Sequence, residues 1–257
     1  MASDSSLPPS VSVAMLAYNH GPYIQQAIEG VLAQETDFPV ELLIGEDHST
    51  DNTLEMARRY ERAHPGRVRV ITSDHNVGVK KNSQRLEAAC TGKYMAYCEG
   101  DDYWHDPKKL QKQVDFLEAN PDYTLTHTEY RSIIVSTGRI IPNAARQPRD
   151  LNNADAYNEM LAGRRIVMTL TACARASALR AVLAECPECY DPRFLMGDTQ
   201  RWRELARRGK VKCFHEITST HLILPESASQ SRNPRKVLRF VLSTKELLDH
   251  HLQKYDC

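Results

Sequence analysis

Gly92-Lys93-Tyr94-Met95-Ala96-Tyr97-Cys98-Glu99-Gly100-Asp101-Asp102-Tyr103-Trp104 is the stretch on which the fold turns. Its first half, from Tyr94 to Cys98, is mostly apolar and bounded by Gly92, which reads as a buried strand of a parallel sheet. The carboxylates therefore stand at the C-terminal end of that strand, the edge at which open α/β sheets bind ligands. Glu99 and Asp101, two apart on an extended backbone, project the same way and repel each other unless a cation sits between them. A hard divalent ion suits that pair, with phosphate oxygens and waters filling its remaining positions. Gly100 allows close approach of backbone or ligand. Asp106-Pro107 opens the next helix, with Asp as N-cap and Pro at the first helical position, so the earlier acids are not needed for capping.

Upstream, three more strand-and-helix units precede this strand. Val11–Leu16 is an apolar strand ending in the turn Ala17-Tyr18-Asn19-His20-Gly21, and Pro22 starts a helix with Ile24, Ala27, Ile28 and Val31 at helical spacing. Val40–Ile44 is a second strand, closed by Gly45-Glu46-Asp47-His48-Ser49-Thr50-Asp51, where acids again gather at a strand end and Ser49 or Thr50 is placed to cap the next helix. Val68–Ile71 makes the third, followed by the loop Asp74–Val79 and a helix that stops before Gly92. Such alternation predicts a mostly parallel sheet with helices on both faces.

Beyond Pro121 the pattern becomes antiparallel, with strands over 124–128 and 133–141. Further on come helices over 154–161, 177–183 and 199–208, then separate strands at 211–214 and 217–224. Asn233-Pro234 begins a long helix with Val237, Leu238, Val241, Leu242, Leu248 and Leu252 on one side, a stripe expected to pack on the body or make a homodimer. The expected organisation is a flexible 1–10, two halves of one domain at 11–120 and 121–232, and a C-terminal helix at 233–257.

The chain of 257 residues is long enough for one substantial core, and its 33 basic and 33 acidic residues leave no net field that would favour nucleic acid. No apolar run is long enough for a transmembrane segment and no signal peptide is visible. Seven cysteines without regular spacing suit a reducing compartment, and the lone Cys186-Pro187-Glu188-Cys189 lacks the second pair a zinc site of that type needs. A cytoplasmic protein is expected, one that can also lie peripherally at the inner face of the membrane.

Taken together these segments resemble the family 2 glycosyltransferases of the GT-A fold. The carriers are Val11–His20, the acidic loop Gly45–Asp51, Asn76-Val77-Gly78-Val79-Lys80-Lys81-Asn82, and Glu99–Trp104 at the DxD position. The match runs from about Val11 to Asn120, and later rests on Gly197-Asp198. The resemblance implies a Rossmann-like α/β fold, with 11–120 as the nucleotide-sugar-binding half and 121–232 as the acceptor-binding and catalytic half, and inverting transfer of a single sugar from a nucleotide-sugar donor, UDP-linked by preference. The acceptor would be a glycan, a lipid-linked or a small-molecule hydroxyl.

It implies Asp198 as general base, Asp101 on Mn²⁺ or Mg²⁺, and Asp47 on the pyrimidine N3–H. Ala17, Asn19, Asn76, Lys81, Glu99 and Gly100 would complete the nucleotide site. Asp102, Trp104, His221 and Arg232 would contact acceptor or leaving group, the last two standing in for the family's Tyr-Arg-x-His segment. Gly197-Asp198 itself stands where many members have Glu-Asp. A catalytically inactive donor-binding subunit and a sugar nucleotidyltransferase are the alternatives, and the absence of a Gly-rich phosphate loop after the first strand counts against the latter.

Overall fold

The computed structural model describes residues 10–142, 155–225, 231 and 233–255. The first half alternates as the sequence predicts: β1 (Val11–Ala17), α1 (Ile24–Leu32), β2 (Val40–Glu46), α2 (Thr53–Ala63), β3 (Val68–Ile71), α3 (Val79–Ala89), β4 (Tyr94–Tyr97), β5 (Tyr103–Trp104) and α4 (Lys109–Ala119). The second half adds β6 (Tyr123–Ile134), β7 (Arg139–Ile141), α5 (Ala156–Leu161), β8 (Cys173–Arg175), α6 (Ala176–Glu185), α7 (Gly197–Arg208), β9 (Lys210–Ile223) and α8 (Pro234–Tyr255). One sheet takes the order β3-β2-β1-β4-β8-β6-β9-β5, with β7 paired on β6. The β3-β2-β1-β4 part is parallel, and β8 joins it antiparallel.

The apolar runs of the first half are continuous because both faces of the sheet are covered. Val11, Val13 and Met15 of β1 and Leu42 and Ile44 of β2 pack with α1 and α4. Ala14, Leu43, Met95 and Tyr97 face the other layer, with Leu86 of α3, Leu179 of α6 and Trp202 of α7. The chain turns from β1 outward to β2 and β3, then returns to the far side of β1 as β4. The ends of β1, β2 and β4 thus frame a crevice at a topological switch point.

Several expectations are corrected. The segments at 211–214 and 217–224 form one strand, β9, because it accommodates a bulge opposite Thr128 and Glu129 and does not end there. Tyr103 and Trp104 form a short strand, β5, which pairs with Thr220 and Ser219 of β9. The start of α2 is held by Asp51, whose Oδ1 accepts the Thr53 amide at 3.0 Å, and not by Ser49 or Thr50. Asp106 does hold the start of the α4 segment, accepting the Lys108 amide at 2.8 Å, although α4 begins only at Lys109.

The C-terminal helix docks by a different face from the apolar stripe. Ser243, Leu247 and His251 are buried, whereas Val237, Leu238, Val241 and Leu242 are exposed. Polar anchoring decides this: Ser243 Oγ accepts the Leu195 amide and donates to the Arg193 carbonyl, both at 2.8 Å. His251 is wholly buried, and burial first, then the nearby Arg203 guanidinium, push its pKa down to about 4. Unfolded histidine titrates near 6.5, so between these values the unfolded chain binds the extra proton and stability falls as pH falls. The expected outcome is a loss of up to about 3 kcal/mol across that window, read as the difference between wild type and His251→Phe in urea unfolding at each pH. Equal pH profiles for the two proteins would remove the assignment.

Candidate active site

Two loops at the strand ends lock each other before any ligand is considered. The Asn19 amide donates to Ser49 Oγ at 3.0 Å, Asn19 Oδ1 accepts the Thr50 amide at 2.9 Å, and the Gly21 amide donates to Asp51 Oδ2 at 2.9 Å. Asn19 and His48 take positive φ of 55° and 57°, the left-handed conformation that such tight interlocking requires. Glu46, wholly buried, accepts the amides of His48 and Ser49 and the Thr72 hydroxyl. Its carboxylate is spent on the loop, which leaves Asp47 as the acid of this pair that borders the cleft.

Asp47 is 3% exposed; its two oxygens accept the Val77 and Gly78 amides, each at 2.9 Å. Asn76 is tied to the same carboxylate segment, its Nδ2 donating to the Asp47 carbonyl at 3.0 Å. A carboxylate has about four acceptor positions, so Asp47 can still receive a further donor from a ligand.

From the β2 end to the start of α7 runs a cleft of about 580 Å³. Ala17, Asp47, Asn76, Glu99 and Asp198 all line it, so the structure brings together residues from both halves of the chain. Glu99 is half-buried, but its Oε2 is shut from solvent without a partner. Burial, then the neighbouring Asp101, push its pKa up to about 8. Asp101 does not itself line the cleft; it lies 3.8 Å from Nε2 of His20, which does line it and has an unpartnered Nδ1. Gly100 is needed here for space: a Cβ would lie 2.8 Å from His20 Nδ1 and 3.2 Å from the Leu16 carbonyl.

Asp198 stands in the first turn of α7 and caps nothing; its Oδ2 accepts the Thr169 hydroxyl at 2.8 Å. At the adjacent Gly197 a Cβ would fall 2.1 Å from Lys80 Nζ, so the missing side chain makes room for the lysine. Burial, then the Arg201 guanidinium, push the Lys80 pKa down, against the pull of Asp198.

Other expected site residues lie elsewhere. Lys81 is exposed and outside the cleft; Lys80, one position earlier on α3, is the lysine that lines it. Asp102 points into the fold, its Oδ1 accepting the Leu222 amide at 2.9 Å. Trp104 is 2% exposed, donates from Nε1 to the Leu170 carbonyl at 2.7 Å, and lies under Lys109 Nζ at 4.2 Å from its ring centre. Neither lines the cleft, because pairing of β5 with β9 turns this segment inward. Asn19 buttresses the loop as described and does not line the cleft, nor does His221, whose Nδ1 is 3.4 Å from Ser132 Oγ. Arg232 lies outside the described residues. His20, Thr169 and Arg201 line the cleft without having been singled out; only His20, beside a turn at a strand end, carried a signal that could have found it.

The sequence model of glycosyl transferase family 2 matches residues 12–171. The chain belongs to this family. A Mycobacterium tuberculosis relative is 42% identical over 123 residues, 48% of this chain and 36% of that protein, so the chain spans little more than a third of its length. Among solved structures, S. aureus TarS in complex with UDP-GlcNAc is similar with a TM-score of 0.68 at 17% identity, over 93% of this chain and 65% of that one. Mannosyltransferase PcManGT from Pyrobaculum calidifontis, in complex with GDP-Man and Mn²⁺, gives 0.62 at 19% identity, over 86% and 59%. At such identities the likeness is one of fold, and it places this family 2 chain among GT-A structures. No described helix is long and apolar enough to cross a membrane.

Proposed function

We propose that the chain is a metal-dependent inverting glycosyltransferase that moves one sugar from a nucleotide-sugar donor to an acceptor hydroxyl. The observation that carries this reading is that Glu99 and Asp198, one from each half of the chain, line a single cleft that also reaches Asp47. UDP-linked donors are the first to test, since TarS was solved with UDP-GlcNAc, whereas PcManGT was solved with GDP-Man.

Mn²⁺ or Mg²⁺ fits the residues present. A carboxylate oxygen of Glu99 without a partner, and a Glu99 pKa raised by burial and by Asp101, describe two acids short of positive charge. Asp101 and Glu99 would hold the ion, whose chemistry is to neutralise charge developing on the departing diphosphate. The chain does the rest. Asp47 and Asn76 receive the base, and Lys80 stands where its ammonium can meet anionic oxygen. Asp198, held by Thr169, takes the proton of the attacking hydroxyl as the new bond forms on the face opposite the leaving nucleotide.

The deciding experiment is a thermal-shift panel of UDP, GDP, TDP and CDP with and without Mn²⁺. A nucleotide at about a hundred times its dissociation constant adds ~2.7 kcal/mol, roughly 5–10 °C for a domain this size. Stabilisation by one nucleotide only with Mn²⁺ supports the reading; no shift with any of them sinks it. Asp101→Asn should erase the Mn²⁺-dependent part of the shift, and an undiminished shift would remove Asp101 from the metal. Donor binding without release of nucleotide in the presence of any acceptor would favour an inactive binding subunit.

A further inference from the structure

We propose that Cys213, His215 and Glu129, with a water as fourth ligand, form a zinc site on the seam between β6 and β9, apart from the cleft. The two strands run parallel, with His127 opposite Cys213 and Thr128 opposite Phe214; Glu129 is then opposite Ile217, so β9 carries His215 and Glu216 as extra residues. A bulge re-aims the side chains it carries. Here it brings His215 Nδ1 to 3.0 Å from Glu129 Oε1.

Ligand atoms of Glu129, Cys213 and His215 all lie within 4.8 Å of one another. Thiolate, imidazole and carboxylate are the ligand types of zinc, which takes four in a tetrahedron. His215 supplies the independent sign of a missing partner. Its Nε2 is buried and unpartnered. Buried polar atoms in native folds are satisfied by protein, water or an ion.

Burial pushes the Cys213 thiol up to about 11 while Arg165 pulls it down. Zinc binding would release that proton to solvent and form the zinc–sulfur bond, and thiolate with carboxylate would neutralise the dication. His215, 30% exposed at its side chain, gives the ion a way in. None of the three residues lines the cleft. The site would pin the bulge just before the β9 segment that pairs with β5 and holds Asp102 through Leu222, which makes its role structural. The other cluster of this kind among the described residues, Cys186, Glu188 and Glu204, already encloses a cation, with Lys254 Nζ 3.4 Å from Cys186 Sγ and 3.3 Å from Glu204 Oε1.

The test uses full-length, tag-free protein stripped by chelator and titrated with Co²⁺, then Zn²⁺. One equivalent of Co²⁺ per chain should give a thiolate-to-cobalt charge-transfer band and the intense visible bands of tetrahedral cobalt, both lost on adding Zn²⁺. Cys213→Ser should abolish the charge-transfer band, and Cys186→Ser should leave it. Absence of the band in wild type, or its survival in Cys213→Ser, overturns the site. Should Cys213→Ser not fold, His215→Ala on the exposed side should weaken Zn²⁺ affinity by at least about tenfold with an unchanged circular dichroism spectrum. Unchanged affinity there overturns the site equally.

Discussion

Asp198→Asn is expected to cut sugar transfer by about 10²–10⁴-fold and to leave nucleotide binding as it was. The variant keeps the size of the side chain and an oxygen that can accept the Thr169 hydroxyl, so α7 and the cleft wall should stay in place. What disappears is the carboxylate proposed above to take the acceptor proton. Asp198 has no capping task to lose, since it sits inside the first turn and holds only Thr169. The measurement is nucleotide release with acceptor beside a binding isotherm for the same nucleotide. Retained turnover would place the base elsewhere, and parallel loss of both quantities would make Asp198 a structural residue of the cleft.

The second large effect is on stability. Arg201 is 5% exposed and its Nη1 lies 2.8 Å from Glu87 Oε1, whose own residue is 3% exposed. Tyr97 and Tyr190 both donate their hydroxyls to Glu87, and Arg201 also reaches Ser83 Oγ at 3.0 Å and stacks over the Tyr190 ring at 5.3 Å. Burial works to lower the Arg201 pKa, but Glu87 and the tyrosines outweigh it and hold the guanidinium charged. Arg201→Met would leave the Glu87 carboxylate buried without its counter-charge. The expected cost is about 3–5 kcal/mol, or roughly 6–20 °C in Tm. Replacing both partners, as Arg201→Met with Glu87→Met, should recover part of the loss because the unpaired charge is gone. Urea unfolding decides it: a double variant no more stable than Arg201→Met would show that the pair is held for packing and not for charge.

This network also shows where reading the sequence stops. Arg201 and Glu87 are 114 positions apart by number and sit in helices whose polar residues look solvated until α3 and α7 are packed together. Likewise Lys80 and Lys81 are equivalent in sequence; only the seating of α3 turns Lys80 to Gly197 and leaves Lys81 in water. The strand ends were legible because the acids of Glu46-Asp47 and Glu99-Gly100-Asp101 follow apolar runs directly. Their division of labour was not. Glu46 and Asp102 serve the fold, Asp47 and Glu99 the cleft, and backbone amides elsewhere in the chain decide which is which.

The sequence by itself determined the α/β class, the four parallel strands and the edge at which the acids collect. A strand covered on both faces must be apolar without interruption, and that demand is local enough to be seen in five or six residues. The tertiary structure alone decided that Tyr103 and Trp104 form an inward strand, that β9 is continuous, and that α8 docks by Ser243, Leu247 and His251. Each depends on a partner far along the chain: Thr220 for Tyr103, Glu129 for the bulge, Arg193 and Leu195 for Ser243. Periodicity records which face of an element is apolar, whereas long-range hydrogen bonds settle what that face meets.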